Sequence, residues 1–387
     1  MAFRFLHSAD WHIGRIFHNV SLLDDQAQAL EQLVELARDS RAQALIVAGD
    51  VYDRAVPPAD AVRLLDETLR RITLDLDLAL IVIAGNHDSA ERLGFGSALM
   101  EERRCFIRGP LAADIAPIEL ADSEGPVRIY PIPYAEPVLV RERLETDAAH
   151  CHDSAMGAIT DRLRPHLDAR IADRAIAVAH CFVTGGDPCE SERPLSVGGA
   201  GNVGAARFDA FDYTALGHLH RPQALGERTH YAGSLLKYSF SEAGHRKSVN
   251  LVEIAAGGAV TVERIPLTPR RDLRIVEGRL ADLLGGPAAG ESADDYLLVR
   301  LTDKEALLDP MGKLRQVYPN ILHLERPGLL EAGELATAGR ERLKRGEQAL
   351  FASFFEQVTG DPLGDAQRAL LAEVIDRIYA RAREADA

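Results

Sequence analysis

Over roughly the first 270 residues, short apolar runs alternate with polar turns that carry Asp, His or Asn. Runs of this length, bounded by turn residues, predict strands at Arg4–Ala9, Ala44–Ala48, Leu78–Ala84, Val127–Pro131, Arg174–Ala179, Tyr213–Leu216, Val249–Ile254 and Ala259–Ile265. Apolar residues at helical spacing predict helices over Asp24–Ser40, Pro58–Asp75 and Gly157–Arg170, where crossovers between parallel strands would fall, and the stretch Ser89–Arg104 is amphipathic as well. The pattern is that of an α/β fold.

Beyond Pro266 the pattern changes. Asp272–Gly278, Tyr296–Leu301 and Ile321–Arg326 read as strands and Lys304–Val317 as a helix, so a small α+β domain follows the linker Thr268-Pro269-Arg270-Arg271. After the polar stretch Gly339–Gly346, two helices with apolar stripes close the chain. One carries Leu350, Phe351, Phe354, Phe355 and Val358, the other Leu370, Leu371, Val374, Ile375, Ile378 and Tyr379. They can pack on each other as a hairpin or offer a docking surface to another chain's helices. The expected domains are residues 1–270, 271–335 and 336–387.

A chain of 387 residues exceeds the usual size of one compact core, which agrees with that division. No run approaches eighteen apolar residues, and the first strand begins without the apolar region of a signal peptide, so a cytoplasmic protein is expected. Cys105, Cys151, Cys181 and Cys189 form no Cys-x-x-Cys pair, which argues against a zinc ribbon and for free thiols. The formal charge of −15 repels polyanions at long range, so contact with nucleic acid needs a local basic patch, bound cations or a more basic partner.

Five places end an apolar run on residue types that bind metals: Asp10-Trp11-His12, Gly49-Asp50, Gly85-Asn86-His87-Asp88, Ala179-His180 and Gly217-His218-Leu219-His220. Loops at the carboxyl ends of sheet strands converge on one cleft. Imidazole mixed with carboxylate suits Mn²⁺, Fe²⁺ or Zn²⁺ better than Mg²⁺. Extended backbone would turn Asp10 and His12 to one face, and His218 and His220 likewise. Asp50 could bridge two cations about 3.5–4 Å apart. Any one of these motifs is commonplace; the ordered set of five is not.

That series resembles the calcineurin-like metallophosphoesterase superfamily. Within it, Gly49-Asp50-Val51-Tyr52-Asp53-Arg54-Ala55-Val56-Pro57-Pro58, Ser191-Glu192-Arg193-Pro194-Leu195, His220-Arg221-Pro222-Gln223 and Gly233-Ser234-Leu235-Leu236-Lys237-Tyr238-Ser239-Phe240 resemble the SbcD nuclease subunits. The likeness covers residues 1 to about 250 by motif and the rest by domain order. It implies a four-layer α/β sandwich with a small α+β capping domain and a C-terminal helical tail. It also implies two divalent cations, Mn²⁺ first among them. Carried over position by position, Asp10, His12, Asp50 and His220 hold the first, and Asp50, Asn86, His180 and His218 the second. His87 would protonate the leaving 3′ oxygen and Asp88 would orient it; Asp88 also reads as a helix cap. Archaeal relatives carry histidine where Asp53 stands, so Asp53 has no assigned role beyond a turn cap. Arg193, Arg221 and Lys237, which lie in motif loops, are the candidate phosphate contacts, whereas Trp11 reads as packing.

The resemblance further implies a 3′–5′ double-strand exonuclease and single-strand or hairpin endonuclease. Such a subunit would act on DNA with the ATPase SbcC docked on the tail helices, as a homodimer within a heterotetramer, in repair, recombination and replication. No Gly-x-x-x-x-Gly-Lys-Ser/Thr occurs, so any ATP dependence comes from that partner. Two other classes fit less of the chain. A small-substrate metallophosphodiesterase needs neither cap nor tail, and an interaction module with a vestigial cleft would not need every ligand position filled.

Overall fold

The computed structural model describes residues 2–168, 174–192, 201–327, 348, 351–352, 355–356 and 359–385. The chain divides into two compact units, one running to Leu273 and the other from Arg274.

The first unit holds two six-stranded sheets. One runs, in spatial order, Val260–Pro266, Ser248–Ile254, Phe3–Ser8, Ala44–Val47, Ala79–Ile83 and Cys105–Arg108; the last four strands are mutually parallel. The other runs Gln223–Ala224, Thr229–Tyr231, Tyr213–Gly217, Arg174–His180, Gly125–Ile132 and Ile118–Asp122, with its four central strands parallel. The central strands are apolar at nearly every position because both faces are covered, as buried parallel strands require. Phe5, Ile46 and Ile81 from one sheet meet Ile129, Ile176 and Val178 from the other in a single core between them. On the far side of the second sheet, helices Pro137–Leu144 and His152–Asp168 pack Val140, Met156, Ile159 and Leu163 against Tyr130, Ala177 and Leu216. Helix Leu23–Asp39 buries its apolar stripe through Ala29, Leu30, Leu33, Val34 and Ala37. The result is a layered α/β sandwich, as the sequence leads one to expect.

Two edge strands, Cys105–Arg108 and Ile118–Asp122, were not among those expected from the apolar runs. Ser89–Arg104 is not a continuous helix either. It breaks into two short turns, Ala90–Leu93 and Ser97–Met100, because Gly94 and Gly96 intervene and Gly96 adopts φ 74°, a left-handed value that ends a helix.

The second unit carries a three-stranded sheet of Leu273–Gly278, Tyr296–Leu301 and Ile321–Glu325. Leu297, Val299, Leu301, Leu314 and Ile321 form its core. The helix expected over Lys304–Val317 is confined to Pro310–Arg315, since Pro310 takes the first helical position and the Asp309 carboxylate caps Gly312 N at 3.0 Å. Residues 365–385 form one helix on which Leu370 and Val374 are exposed. Leu350, Phe354 and Val358 of the preceding stripe lie outside the described residues.

Candidate metal centre

Three of the five ligand loops leave the first sheet and two leave the second, all at strand carboxyl ends, so the centre sits where the sheets' edges meet. The loops are laced together by backbone hydrogen bonds: Asp10 N donates to Gly49 O at 3.0 Å, and His12 N donates to Asp50 O at 2.9 Å. The backbone there is not extended, contrary to the i, i+2 argument. Asp10, His12 and Asp50 have φ of 53°, 46° and 50°, and His218 has φ 104°. Left-handed backbone at non-glycine residues costs on the order of 1–3 kcal/mol each and persists only where the surroundings impose it. Tight turns, rather than pleating, gather the ligands. Glycine precedes three of them because the loops nearly touch: a Cβ on Gly85 would run into the Asp50 carboxylate, and one on Gly217 into the Ala48 carbonyl.

The ligand atoms of Asp10, His12 and His220 lie within 4.8 Å of one another, and so do those of Asp10, Asp50 and His180. His12 Nε2 is 3.0 Å from His220 Nε2. Asn86 Oδ1 is 2.9 Å from His180 Nε2 and 3.3 Å from His218 Nδ1. Asp50 stands between the groups, its Oδ2 3.7 Å from His12 Nε2 and 3.4 Å from His180 Nε2. All seven expected ligand positions thus meet in one buried pocket.

Burial sets the charges. It drives His12 well below the usual imidazole range and, aided by the charge of His180, brings His218 down to about 3. Burial also raises Asp10 to about 7, against the opposing pull of His180 and His220. In Asp50 the same burial is outweighed by His180, His12 and His87, which hold the carboxyl far below its ordinary value; His180 in turn rises to about 9 beside Asp50 and Asp10. The imidazoles of His12 and His218, which burial keeps neutral, face buried carboxylates and form the donor set a pair of divalent cations takes up, and binding would displace the proton that His180 otherwise carries.

The histidines are held in the tautomer that ligation needs. His220 Nδ1–H donates to Ser191 Oγ at 2.7 Å, and the Ser191 hydroxyl donates to Glu242 Oε1 at 2.6 Å, leaving Nε2 of His220 with its lone pair toward His12. Burial works to raise Glu242, yet Lys247, His220 and His245 outweigh it and keep the carboxyl well below its usual range. Lys247 pairs with Glu242 and also donates to His220 O at 2.7 Å. His180 Nδ1–H donates to Ala48 O at 2.9 Å, which frees its Nε2 in the same way. Ser191, Glu242 and Lys247 escaped the sequence reading. Their pairing is tertiary, and only the Ser191-Glu192 motif hinted at it.

His87 Nδ1–H donates to Asp53 O at 2.9 Å, and His87 N donates to Asp50 Oδ1 at 2.8 Å. Its Nε2 is the nitrogen left for proton exchange. The expectation that Asp88 orients His87 does not hold: its carboxylate accepts from Gly85 N, Val51 N and Tyr52 N at 2.9, 3.1 and 2.9 Å, clamping two ligand loops together. Nor is it a cap, since the short helix Ala90–Leu93 follows Ser89 without a side-chain cap. Asp53 supplies the orienting carbonyl, while its side chain accepts from Arg15 Nη1 at 2.8 Å.

Of the candidate phosphate contacts, Arg221 is exposed and pairs with Asp187 at 3.1 Å. Lys237 is spent internally, on Asp272 at 2.7 Å and Ala243 O at 2.8 Å. Arg193 lies outside the described residues. Trp11 is fully buried, with Nε1 donating to Ser8 Oγ at 2.8 Å, and so packs rather than stacks on a base. All four cysteines are free.

A family model described as calcineurin-like phosphoesterase matches residues 3–222, more than half of the chain. The SbcD C-terminal model, described as the type 5 capsule protein repressor C-terminal domain, matches residues 269–359, and the two matches together fit an SbcD nuclease subunit. Among solved structures, TT1561 of Thermus thermophilus is 14% identical over 68% of this chain and 99% of its own, with a TM-score of 0.38. A dimetal phosphatase from Danio rerio is 14% identical over 69% and 99%, with a TM-score of 0.38. GAP50, described as the anchor in the inner membrane complex of Plasmodium, is 12% identical over 69% and 89%, with a TM-score of 0.37.

Proposed function

The chain belongs to the calcineurin-like phosphoesterase family, and from that premise we propose that it is the nuclease subunit of an SbcCD-type complex, cutting DNA phosphodiesters with two bound divalent cations, Mn²⁺ by preference. The observation that carries the hydrolytic part is the meeting of seven nitrogen and oxygen ligand residues in one buried pocket beside a histidine whose Nδ1 is already committed to Asp53 O. The SbcD C-terminal match over residues 269–359 supports the nuclease part.

When bound, two cations supply the positive charge that holds the scissile phosphate and makes a water acidic enough to attack it. Asp10, His12, Asp50 and His220 would hold one, and Asp50, Asn86, His180 and His218 the other. His87 gives its Nε2 proton to the departing 3′ oxygen. Asp88 acts as a clamp on the ligand loops. The second unit would take part in selecting DNA, and the exposed Leu370 and Val374 of the last helix fit a docking face for an SbcC-type ATPase. Phe95 and Leu99, 85% and 82% exposed, fit a homodimer face. No helix among the described residues is long and apolar enough to cross a membrane, and a cytoplasmic site of action is part of this proposal.

A small-substrate phosphodiesterase would use the same centre, and the charge of −15 is what favours it. The test is Mn²⁺-dependent cleavage of a labelled hairpin DNA, with and without the ATPase partner and ATP, beside hydrolysis of bis-p-nitrophenyl phosphate. Hairpin cutting that grows with the partner and is lost in His87→Ala is expected. Hydrolysis of the small ester alone, in either condition, would favour the second reading.

A further inference from the structure

Next to the metal centre lies a cavity of about 430 Å³ whose charged lining residues are all basic. Its walls come from three places: Arg221 and Pro222 of the loop that leaves ligand His220, His245 to Lys247 of the following loop, and Arg264 near the end of the edge strand Val260–Pro266. The floor is fixed. Lys247 is buried and pinned to Glu242, to His220 O at 2.7 Å and to Ser234 Oγ at 2.8 Å, so it anchors the cavity to the backbone of a metal ligand and is not free to bind anything else. Arg221, Arg246 and Arg264 are exposed around the rim. Arg246 and Arg264 have no carboxylate partner among the described residues, although the chain carries fifteen more acidic than basic groups. Strand alternation puts Arg264 on the same face as Val260 and Val262, which pack on the core between the sheets, so the side chain is presented at the end of that core.

We propose that this cavity binds a backbone phosphate of the DNA strand outside the cleavage position, with Arg246 and Arg264 as the principal contacts and Arg221 released to it from Asp187. The proposal rests on the nuclease reading. Guanidinium groups match phosphate oxygens in fork geometry. The open rim, joined to the metal ligands through His220 and Arg221, suits a continuous strand rather than an enclosed small anion. It also answers how a chain of net charge −15 holds a polyanion: a local basic site beside the metals outweighs the distant repulsion.

The test is binding of a labelled duplex by the full chain in EDTA, which removes both cleavage and metal contacts, over a range of salt. Each lost phosphate contact lowers the slope of log affinity against log salt by about 1. The double variant Arg246→Gln/Arg264→Gln is expected to lower it by about 2 while keeping the wild-type thermal transition. Arg143→Gln, an exposed arginine on helix Pro137–Leu144, is expected to leave it unchanged. An unaltered slope in the double variant, with wild-type binding intact, would overturn the site and leave the nuclease reading standing. Failure of the wild type to bind or cut DNA at all would overturn both. Saturable binding of dAMP or inorganic phosphate that the double variant loses while its DNA slope is unchanged would assign the cavity to a small anion and overturn the proposal.

Discussion

The Nε2 atoms of His12 and His220 face each other at 3.0 Å, with a carboxylate oxygen of Asp50 3.7 Å from the first. Because Ser191 Oγ accepts from the Nδ1–H of His220, the His220 Nε2 offers a lone pair, and His12 Nε2 offers another when its ring carries the proton on Nδ1, 3.9 Å from Asp53 Oδ1, an arrangement a cation relieves. Mn²⁺ is therefore expected to stabilise the fold, by about 2.7 kcal/mol at one hundred times its dissociation constant. Thermal unfolding with and without Mn²⁺ checks this. Asp50→Asn is expected to lose most of the shift, EDTA to abolish ester hydrolysis, and an unmoved transition on adding Mn²⁺ or Zn²⁺ would count against the centre.

The bond from His87 to Asp53 O leaves one ring nitrogen for acid catalysis. A 3′ alkoxide is a poor leaving group and needs that proton, whereas p-nitrophenolate departs without it. His87→Ala is thus expected to lower kcat on DNA by about 10²–10⁴ and on bis-p-nitrophenyl phosphate much less. Equal losses on both substrates, with Mn²⁺ affinity retained, would remove the acid role and leave one of binding the phosphate.

Seven of the eight strands inside the two sheets were legible because buried strands are written as largely apolar runs, and the ligands were legible because they end those runs; Thr229–Tyr231, only three residues long, was missed, while the edge strand Val260–Pro266 was expected. Cys105–Arg108 and Ile118–Asp122 are sheet edges, where half of the positions face water and the apolar signal thins. Periodicity misplaced two helices for local reasons, glycine at 94 and 96 and proline at 310. The residues that position the ligands were the hardest to see. Ser191 and Glu242 are 51 positions apart and become a pair only in the folded chain. Asp53 acts through its carbonyl, which no residue identity announces. Lys237 looked like a phosphate contact in its motif loop, yet the fold spends it on Asp272 and Ala243 O.

Glu242 reaches its metal ligand through the Ser191 hydroxyl and carries the charge that makes this chain of bonds strong. Glu242→Gln keeps the size and removes the charge, so it is expected to weaken Mn²⁺ binding by about 10–100-fold. The kcat at saturating Mn²⁺ should change far less, since no bond to substrate is involved. Titrating activity against Mn²⁺ separates the two effects: a fall in kcat with unaltered metal affinity would show that Glu242 acts on the reaction by another route. Ser191→Ala should shift the metal dependence in the same direction.

Far from the centre, Arg174 ties the second sheet's edge together. Its guanidinium donates twice to Asp122, at 2.7 Å each, and once to Gly125 O at 2.8 Å, with both side chains almost wholly buried. The hydrogen bonds from Arg174 hold the Asp122 carboxyl below its ordinary value. A carboxyl whose pKa is depressed by folding binds fewer protons folded than unfolded. Its contribution is therefore present above the unfolded value, about 3.9, and is lost as pH falls through the lower folded value. Arg174→Met strands the buried carboxylate and is expected to cost about 3–5 kcal/mol at neutral pH. Lowering the pH protonates Asp122 in the variant and eases that cost, so the stability gap to the wild type should narrow in acid. Urea unfolding at pH 7 and pH 4 measures it, and a gap that stays constant or widens toward pH 4 would mean that packing of the arginine stem, not the ion pair, sets the loss.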